Sequence, residues 1–526
     1  MDFQFLPTNI TTLFLFFSVV LFISRRWKKS KDKNEPANLP PGPPKLPIIG
    51  HAHLLGRLPF RSFKTLAKTY GDIMHFKLGE VSTIVISSPA IAKEALKTRD
   101  PMFADRPESV AARIMWYDYV DIAFSPYNEY WRQMRKICIV ELLSAKNVRS
   151  FGSIRNDEIA LLMQTIRSSA GSVIDLTERI FKLTSSITCR AAYGKVCRDR
   201  DALIKLMNDA VVFTGGFMLA DLFPSSKLLN VLSWNKMRLV RMRRKLDVIL
   251  DDIINEHKVN LARIRSAEES GRGDATRRGN GEFGNEDLVD VLLRLQGSGE
   301  LEFPIANDNI KAVIYDMFSA ATETSSSTLD WAMVELMRNP RVRAKAQDEV
   351  RQAFKDGRTI DENEVGKLKY LKLVVKEALR LHPATPLLSR ASREDSEING
   401  YYIPAKTKVL VNNWGMGRNS KYFPNAESFE PERFESNGID FNGGNFEYLP
   451  FGAGKRMCPG MTFGLASVEL PLAHLLYNFD WELPGGTKPS DLDMTENPGI
   501  SAPRKHHLHI VATPYDPSCQ EIRHIN

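Results

Sequence analysis

The sequence predicts a mainly α-helical protein with minor antiparallel β-structure, built as one large domain behind an N-terminal membrane anchor. Three observations carry this expectation. Helical periodicity dominates the chain after Gly50, and strand-like runs are few and short. A densely apolar stretch at the N-terminus is followed at once by basic residues. Past Gly50 the composition breaks clearly only once, at Glu268–Asn285.

The first element is the anchor. Phe3 to Ile23 holds no basic residue and is densely apolar from Leu13; Arg25, Arg26, Lys28 and Lys29 follow. About 20 such residues span a bilayer as a helix. A cleaved signal peptide carries its charge before the apolar run, whereas here the charge comes after it. Residues 1–24 therefore read as a retained single-pass anchor, with everything downstream on the cytoplasmic side. Residues 25–50 read as a basic linker and hinge. Leu39-Pro40-Pro41-Gly42-Pro43-Pro44-Lys45-Leu46-Pro47 is extended and semi-rigid because proline fixes φ and offers no N–H.

Composition bounds the body, residues 51–526. Of 526 residues, 43% are hydrophobic and 25% charged, which excludes global disorder. The formal net charge of +8 suits an acidic partner or an anionic membrane surface. The basic residues are spread along the chain, so nucleic acid is not implied. Cys138, Cys189, Cys197, Cys458 and Cys519 are scattered and make no disulfide framework, which fits a reducing compartment. Short strands are expected near Met74–Leu78, Thr83–Ser87, Glu397–Ile403 and Lys408–Asn412. Glu268–Asn285 reads as a surface loop between helices.

Chemistry concentrates in three places. Phe451-Gly452-Ala453-Gly454-Lys455-Arg456-Met457-Cys458-Pro459-Gly460 is not a phosphate loop, since no Ser or Thr follows Lys455. Its glycines and proline shape a tight loop around Cys458, and a long apolar-rich helix, Met461 to Tyr477, starts just after it. Backbone N–H groups there favour a thiolate, a good iron ligand, and Arg456 can pair with a carboxylate. Glu377-Ala378-Leu379-Arg380 places Glu377 and Arg380 on one helix face. A helix from about Asn309 to Met337 has apolar residues at helical spacing, interrupted by Ala320-Ala321-Thr322-Glu323-Thr324. A Thr inside a helix commonly bonds back to a carbonyl one turn earlier.

The ten-residue loop resembles the haem-binding signature of the cytochrome P450 family, Phe-x-x-Gly-x-Arg-x-Cys-x-Gly, at every fixed position. The resemblance implies that family's fold and a haem-thiolate catalytic domain over residues 51–526. It implies Cys458 as proximal iron ligand, Phe451 packed near the sulfur and Arg456 on a haem propionate. Trp131-Arg132-Gln133-Met134-Arg135 is similar to the family's Trp-x-x-x-Arg element, which places Trp131 and Arg135 on propionates. Arg390 stands near another propionate contact, although its segment lacks the proline expected before it. Glu377 and Arg380, with Arg433 of Pro431-Glu432-Arg433-Phe434, match a buried structural network that holds the cysteine loop. Glu323 and Thr324 match the acid–alcohol pair that relays protons; Ala321 stands where the family usually has glycine.

The activity so implied is a haem b monooxygenase, using O2 and electrons from NADPH through a cytochrome P450 reductase, on the cytosolic face of the endoplasmic reticulum membrane. Stretches such as Glu141-Leu142-Leu143-Ser144 resemble the plant A-type group near its terpenoid hydroxylases. The expected substrate is a small apolar sesquiterpenoid or diterpenoid. Alkaloid or flavonoid hydroxylation is one alternative; a haem isomerase or dehydratase, or a non-catalytic haem sensor, is another. Expected substrate contacts are Ile114, Met115, Trp116, Val120, Met317, Ala320, Ala321, Leu387, Leu388 and Ile500. Because the anchor contributes no core residue, deleting residues through Ser30 is expected to leave a body that still binds haem. Loss of haem from the truncated protein would place the segment inside the fold.

Overall fold

The computed structural model describes residues 38–516 except 197, 216, 227–233, 271–278, 282–285 and 356–357. The anchor expected at residues 1–24 and most of the Glu268–Asn285 loop lie outside the described residues. No described helix is long and apolar enough to cross a membrane.

Numbering only helices of ten or more residues, the chain runs α1 (Pro59–Tyr70), β1 (Ile73–Leu78), β2 (Val81–Ile86), α2 (Glu129–Glu141), α3 (Gly152–Arg167), β3 (Val173–Asp175), α4 (Leu176–Tyr193), α5 (Arg200–Phe213) and α6 (Trp234–Glu269). It continues with α7 (Leu288–Ser298), α8 (Asn307–Arg338), α9 (Pro340–Ala353), α10 (Lys369–Leu381), β4 (Leu388–Ala391), β5 (Ser396–Ile398), β6 (Tyr401–Ile403), β7 (Lys408–Val411), α11 (Met461–Asn478), β8 (Phe479–Glu482) and β9 (His509–Pro514). Helix dominates, as the periodicity predicts.

The strands differ from expectation in two ways. The run Glu397–Ile403 is two strands, β5 and β6, folded at Asn399-Gly400, where both residues take positive φ (52° and 78°). Asn-Gly is the pair best suited to that mirror-image turn. Secondly, the four-stranded sheet, ordered β1-β2-β7-β4, is not wholly antiparallel: β2 and β7 pair in parallel. These strands come from distant parts of the chain, so no hairpin dictates their direction. In β4, Leu388 and Arg390 are two residues apart and share a face.

Helix α8 runs through the core and is buried along most of its length, because α4, α10 and α11 pack around it. Its apolar residues join two clusters. One lies with α3, α4, α9, α10 and α11; the other lies with α2, α5, α6 and α7. The cavity described below opens between α8, α11 and β4.

Glu377 and Arg380 on α10 are almost wholly buried. The Arg380 Nε and Nη2 groups donate to the two Glu377 oxygens at 2.7 and 2.8 Å. Arg433 Nε donates to the same carboxylate at 3.0 Å, and the Glu430 amide at 2.8 Å. The spare donors of Arg380 take the carbonyls of Gly417, Ala426 and Ser428. The network thus clamps the Gly417–Arg433 segment. It reaches the cysteine loop through packing: Phe434 lies 5.2 Å from Tyr448, whose hydroxyl donates to the Lys376 carbonyl at 2.8 Å.

Removing one member leaves buried charge without a partner, at about 3–5 kcal/mol. Glu377→Ala is expected to lose that much in denaturant unfolding. Lys182→Ala, at a solvent-exposed pair with Glu178, is expected to lose less than about 1 kcal/mol. Equal losses would mean that the network is not what stabilises this region.

Candidate active site

The loop before α11 is built around close approach. Gly454 takes φ +69°, and a Cβ there would sit 2.1 Å from the Leu96 carbonyl oxygen, so only glycine fits. The Cys458 amide donates to the Phe451 carbonyl at 2.9 Å, closing the loop. This turns the Cys458 sulfur into a cavity of about 320 Å³, which Phe451 also lines. Cys458 keeps accessible surface, and that surface opens into the cavity. Burial pushes its thiol above the ordinary value, while the Gly460 N–H and the Arg135 charge pull it down. One of the N–H groups expected at the sulfur, that of Gly460, is therefore present, but it does not by itself make a thiolate; a bound metal ion would.

Arginines make the polar wall. Arg106, Arg135, Arg390 and Arg456 all line the cavity. Arg456 donates to the carbonyls of Ala104, Ile122 and Ser125 at 2.7, 3.4 and 2.5 Å. Arg135 donates to the Met457 carbonyl at 2.5 Å, and Arg106 to those of Ala123 and Ser389 at 2.9 and 2.5 Å. Burial and mutual repulsion push Arg456 down to about 9 and Arg106 down to about 10, and hold Arg390 well below the usual value. Among the described residues, the buried Nε of Arg390 has no hydrogen-bond partner. Such a wall is short of anions. It fits the two propionates of the expected haem, with the Cys458 sulfur on the same cavity for the iron.

Two placements differ from the resemblance. Trp131 is not on the cavity. Its Nε1 donates to the Ile122 carbonyl at 2.9 Å, and its ring stacks under Arg456 and Arg135 at 4.2 and 5.2 Å. It therefore holds the arginines from behind. Arg106, which sequence reasoning missed, is on the cavity. It sits in a short connection with no motif around it, so its position comes from tertiary packing alone.

Met317, Ala320, Ala321 and Thr324 of α8 face Cys458 across the cavity, joined by Leu387, Leu388 and Ile500. The Thr324 hydroxyl donates to the Ala320 carbonyl at 2.6 Å, the one-turn back-bond. Glu323 does not line the cavity. It is buried, accepts a hydrogen bond from Ser501 Oγ at 2.9 Å, and burial raises its carboxyl above the usual value. The acid and the alcohol expected to act together are thus adjacent in sequence without a hydrogen bond between them.

Ile114, Met115, Trp116 and Val120 do not line the cavity; Ile122, Ala123 and Phe124 do. The reason lies in the backbone. Tyr117, Asp118 and Tyr119 take φ of 53°, 54° and 66°, which reverses the chain after Trp116. Asp316 on α8 then accepts from Trp116 Nε1 at 2.7 Å and from the amides of Ile122 and Ala123 at 2.9 and 3.0 Å. The indole is drawn aside against Phe124 and Tyr315, and the later residues swing over the cavity.

Comparison with known proteins agrees with this geometry. Residues 40–511 match the family model described as Cytochrome P450. The chain is 55% identical over 512 residues to premnaspirodiene oxygenase of Hyoscyamus muticus, covering 97% of this chain and 99% of that protein. It is 54% identical over 514 residues to 5-epiaristolochene 1,3-dihydroxylase of Nicotiana tabacum, covering 97% and 99%. Cytochrome P450 71D13 of Mentha piperita is 53% identical over 516 residues, covering 98% and 99%.

Asp316 satisfies three donors, and for two of them, Trp116 Nε1 and the Ile122 amide, it is the acceptor found among the described residues, whereas the Ala123 amide also reaches Asp121 at 3.0 Å. Asp316→Ala is expected to cost about 1–3 kcal/mol and to speed hydrogen exchange at the Ile122 amide more than at the Ala123 amide, which keeps Asp121. Unchanged exchange would show that the segment is held by packing instead.

Proposed function

The chain belongs to the cytochrome P450 family, and we propose that it hydroxylates a sesquiterpenoid or diterpenoid, with Cys458 as the residue that would hold the haem iron. It is a monooxygenase that uses haem b, O2 and electrons from NADPH delivered by a reductase. The observation that carries the substrate reading is the cavity itself. Cys458 and the arginines share it with an apolar surface made by Met317, Ala320, Ala321, Leu387, Leu388 and Ile500.

When bound, the haem supplies the oxygen-activating chemistry, and a thiolate ligand favours O–O cleavage. The side chains divide the remaining work. Arg106, Arg135, Arg390 and Arg456 would hold the propionates, and Trp131 stacks beneath Arg135 and Arg456. Phe451 packs beside the ligand loop and keeps water from the sulfur. Thr324 has committed its hydroxyl proton to Ala320, so it offers the cavity an acceptor that holds a proton donor in place. Glu323 is the acid that supplies protons from behind α8. The Glu377, Arg380 and Arg433 network keeps the ligand loop's supporting segment fixed.

An apolar wall selects by shape and buried area, at about 25 cal/mol per Å². A polyhydroxylated substrate would leave polar groups unpaired there. A cationic alkaloid would meet four arginines, and Asp316, the carboxylate among the lining residues, is already committed to three donors. Two relatives carry names ending in diene oxygenase and ene dihydroxylase, which points to hydrocarbon substrates. These names also argue against the isomerase and sensor alternatives. The apolar N-terminal run followed by basic residues supports a single-pass anchor holding residues 51–526 on the cytosolic face of the endoplasmic reticulum.

Cys458→Ala is expected to abolish the red-shifted Soret band of the reduced carbon monoxide complex, while Cys138→Ala and Cys189→Ala keep it. Persistence of the band in Cys458→Ala rules out this ligand. Leu388→Ala and Ile500→Ala are expected to change the ratio of oxidised products more than haem content. A methylene in a pocket is worth about 1–3 kcal/mol, enough to redirect attack between carbons. Parent product ratios in both variants would contradict the apolar-wall reading.

A further inference from the structure

We propose that Ser501 is a positioning residue that links occupation of the cavity to the placement of the Glu323 carboxyl. The inference rests on the reading above that Glu323 is the proton-supplying acid. Ser501 and Glu323 are both buried, and neither lines the cavity. Among the described residues, Ser501 Oγ is the hydrogen-bond partner given to the carboxyl, at 2.9 Å. Burial pushes that carboxyl up, and Ser501 is what opposes it. Ile500, one peptide away, lines the cavity beside Leu388 and Ala320.

The loop that carries this pair has a firm base and a loose tip. At the base, the Asn497 amide donates to the Pro503 carbonyl at 2.8 Å, and the Ala502 amide to the Ala384 carbonyl at 3.1 Å. Trp331 Nε1 also donates to the Ala502 carbonyl at 3.2 Å. At the tip, the Ile500 amide meets the Val211 carbonyl at 3.5 Å, a weak contact. Among the described residues, the Ser501–Glu323 bond is the other polar tie there. A ligand pressing on Ile500 therefore moves Ser501, since consecutive Cα atoms are about 3.8 Å apart. Glu323 and Thr324 point about 100° apart around α8. The carboxyl must leave its present pose to approach the Thr324 side, and loss of the Ser501 bond frees it to do so.

The test uses the full-length, haem-loaded protein, with valencene, a bicyclic sesquiterpene hydrocarbon, as ligand at saturation. Infrared difference spectra, ligand-bound minus free, follow the Glu323 carboxyl band, assigned by its loss in Glu323→Gln. In the parent protein the band is expected to shift when valencene is added. In Ser501→Ala it is expected to be shifted already and to move no further, with NADPH consumption in the absence of valencene rising several-fold. Ser501→Thr keeps the hydroxyl and is expected to restore both. A band that does not respond to valencene, or that responds equally in Ser501→Ala and the parent, overturns the proposal. If Glu323→Gln keeps the parent product per NADPH while the parent protein's band shifts with valencene and that of Ser501→Ala does not, the acid reading fails and the Ser501 linkage stands.

Discussion

Two buried guanidinium groups, Arg390 and Arg456, and two half-buried ones, Arg106 and Arg135, gathered around one cavity impose a severe electrostatic constraint. Each costs several kcal/mol to desolvate unless partners replace the lost water. Here the partners are backbone carbonyls: Ala104, Ile122, Ala123, Ser125, Ser389, Ala453 and Met457 all accept from Arg106, Arg135, Arg390 or Arg456. Those carbonyls belong to segments far apart in sequence. Satisfying the arginines therefore fixes how the segment before α2, strand β4 and the cysteine loop meet. What carbonyls cannot provide is negative charge, and a dianionic cofactor can. The same groups that shape the loops thus create the demand for the cofactor.

The rest of the site follows from how α8 is held. Its Asp316 ties down the segment that roofs the cavity, and its Thr324 presents an oxygen to the cavity wall. One residue earlier, Glu323 is turned outward to Ser501. Adjacent side chains on a helix diverge by about 100°, which lets an acid and an alcohol placed side by side in sequence divide between wall and interior, as Thr324 and Glu323 do. That division is a consequence of helical geometry. It separates the group that touches the cavity from the group that serves it.

Cys458, Phe451, Arg456 and the Glu377–Arg380–Arg433 network were legible in the sequence through short segments that resemble a known family's motifs; the spacing of Glu377 and Arg380 alone shows only a shared helix face. The long helix around Thr324 was legible from its period, and the structure extends it only from Asn309–Met337 to Asn307–Arg338. What escaped was set by contacts between distant segments. Arg106 has no local pattern. Ile122–Phe124 replace Ile114–Val120 on the wall because three positive-φ residues and one aspartate redirect the chain. The parallel pairing of β2 with β7 depends on elements hundreds of residues apart. The Asn399-Gly400 turn was visible as a sequence pair, yet the apolar run on either side concealed it.

The central claim is that the cavity seats a haem whose iron is held by the Cys458 sulfur while the arginines take its carboxylates. X-ray absorption at the iron K-edge of the purified ferric protein addresses it most directly. The account predicts a shell of four pyrrole nitrogens with one sulfur scatterer at bonding distance. An iron whose axial shell contains only nitrogen or oxygen would contradict it.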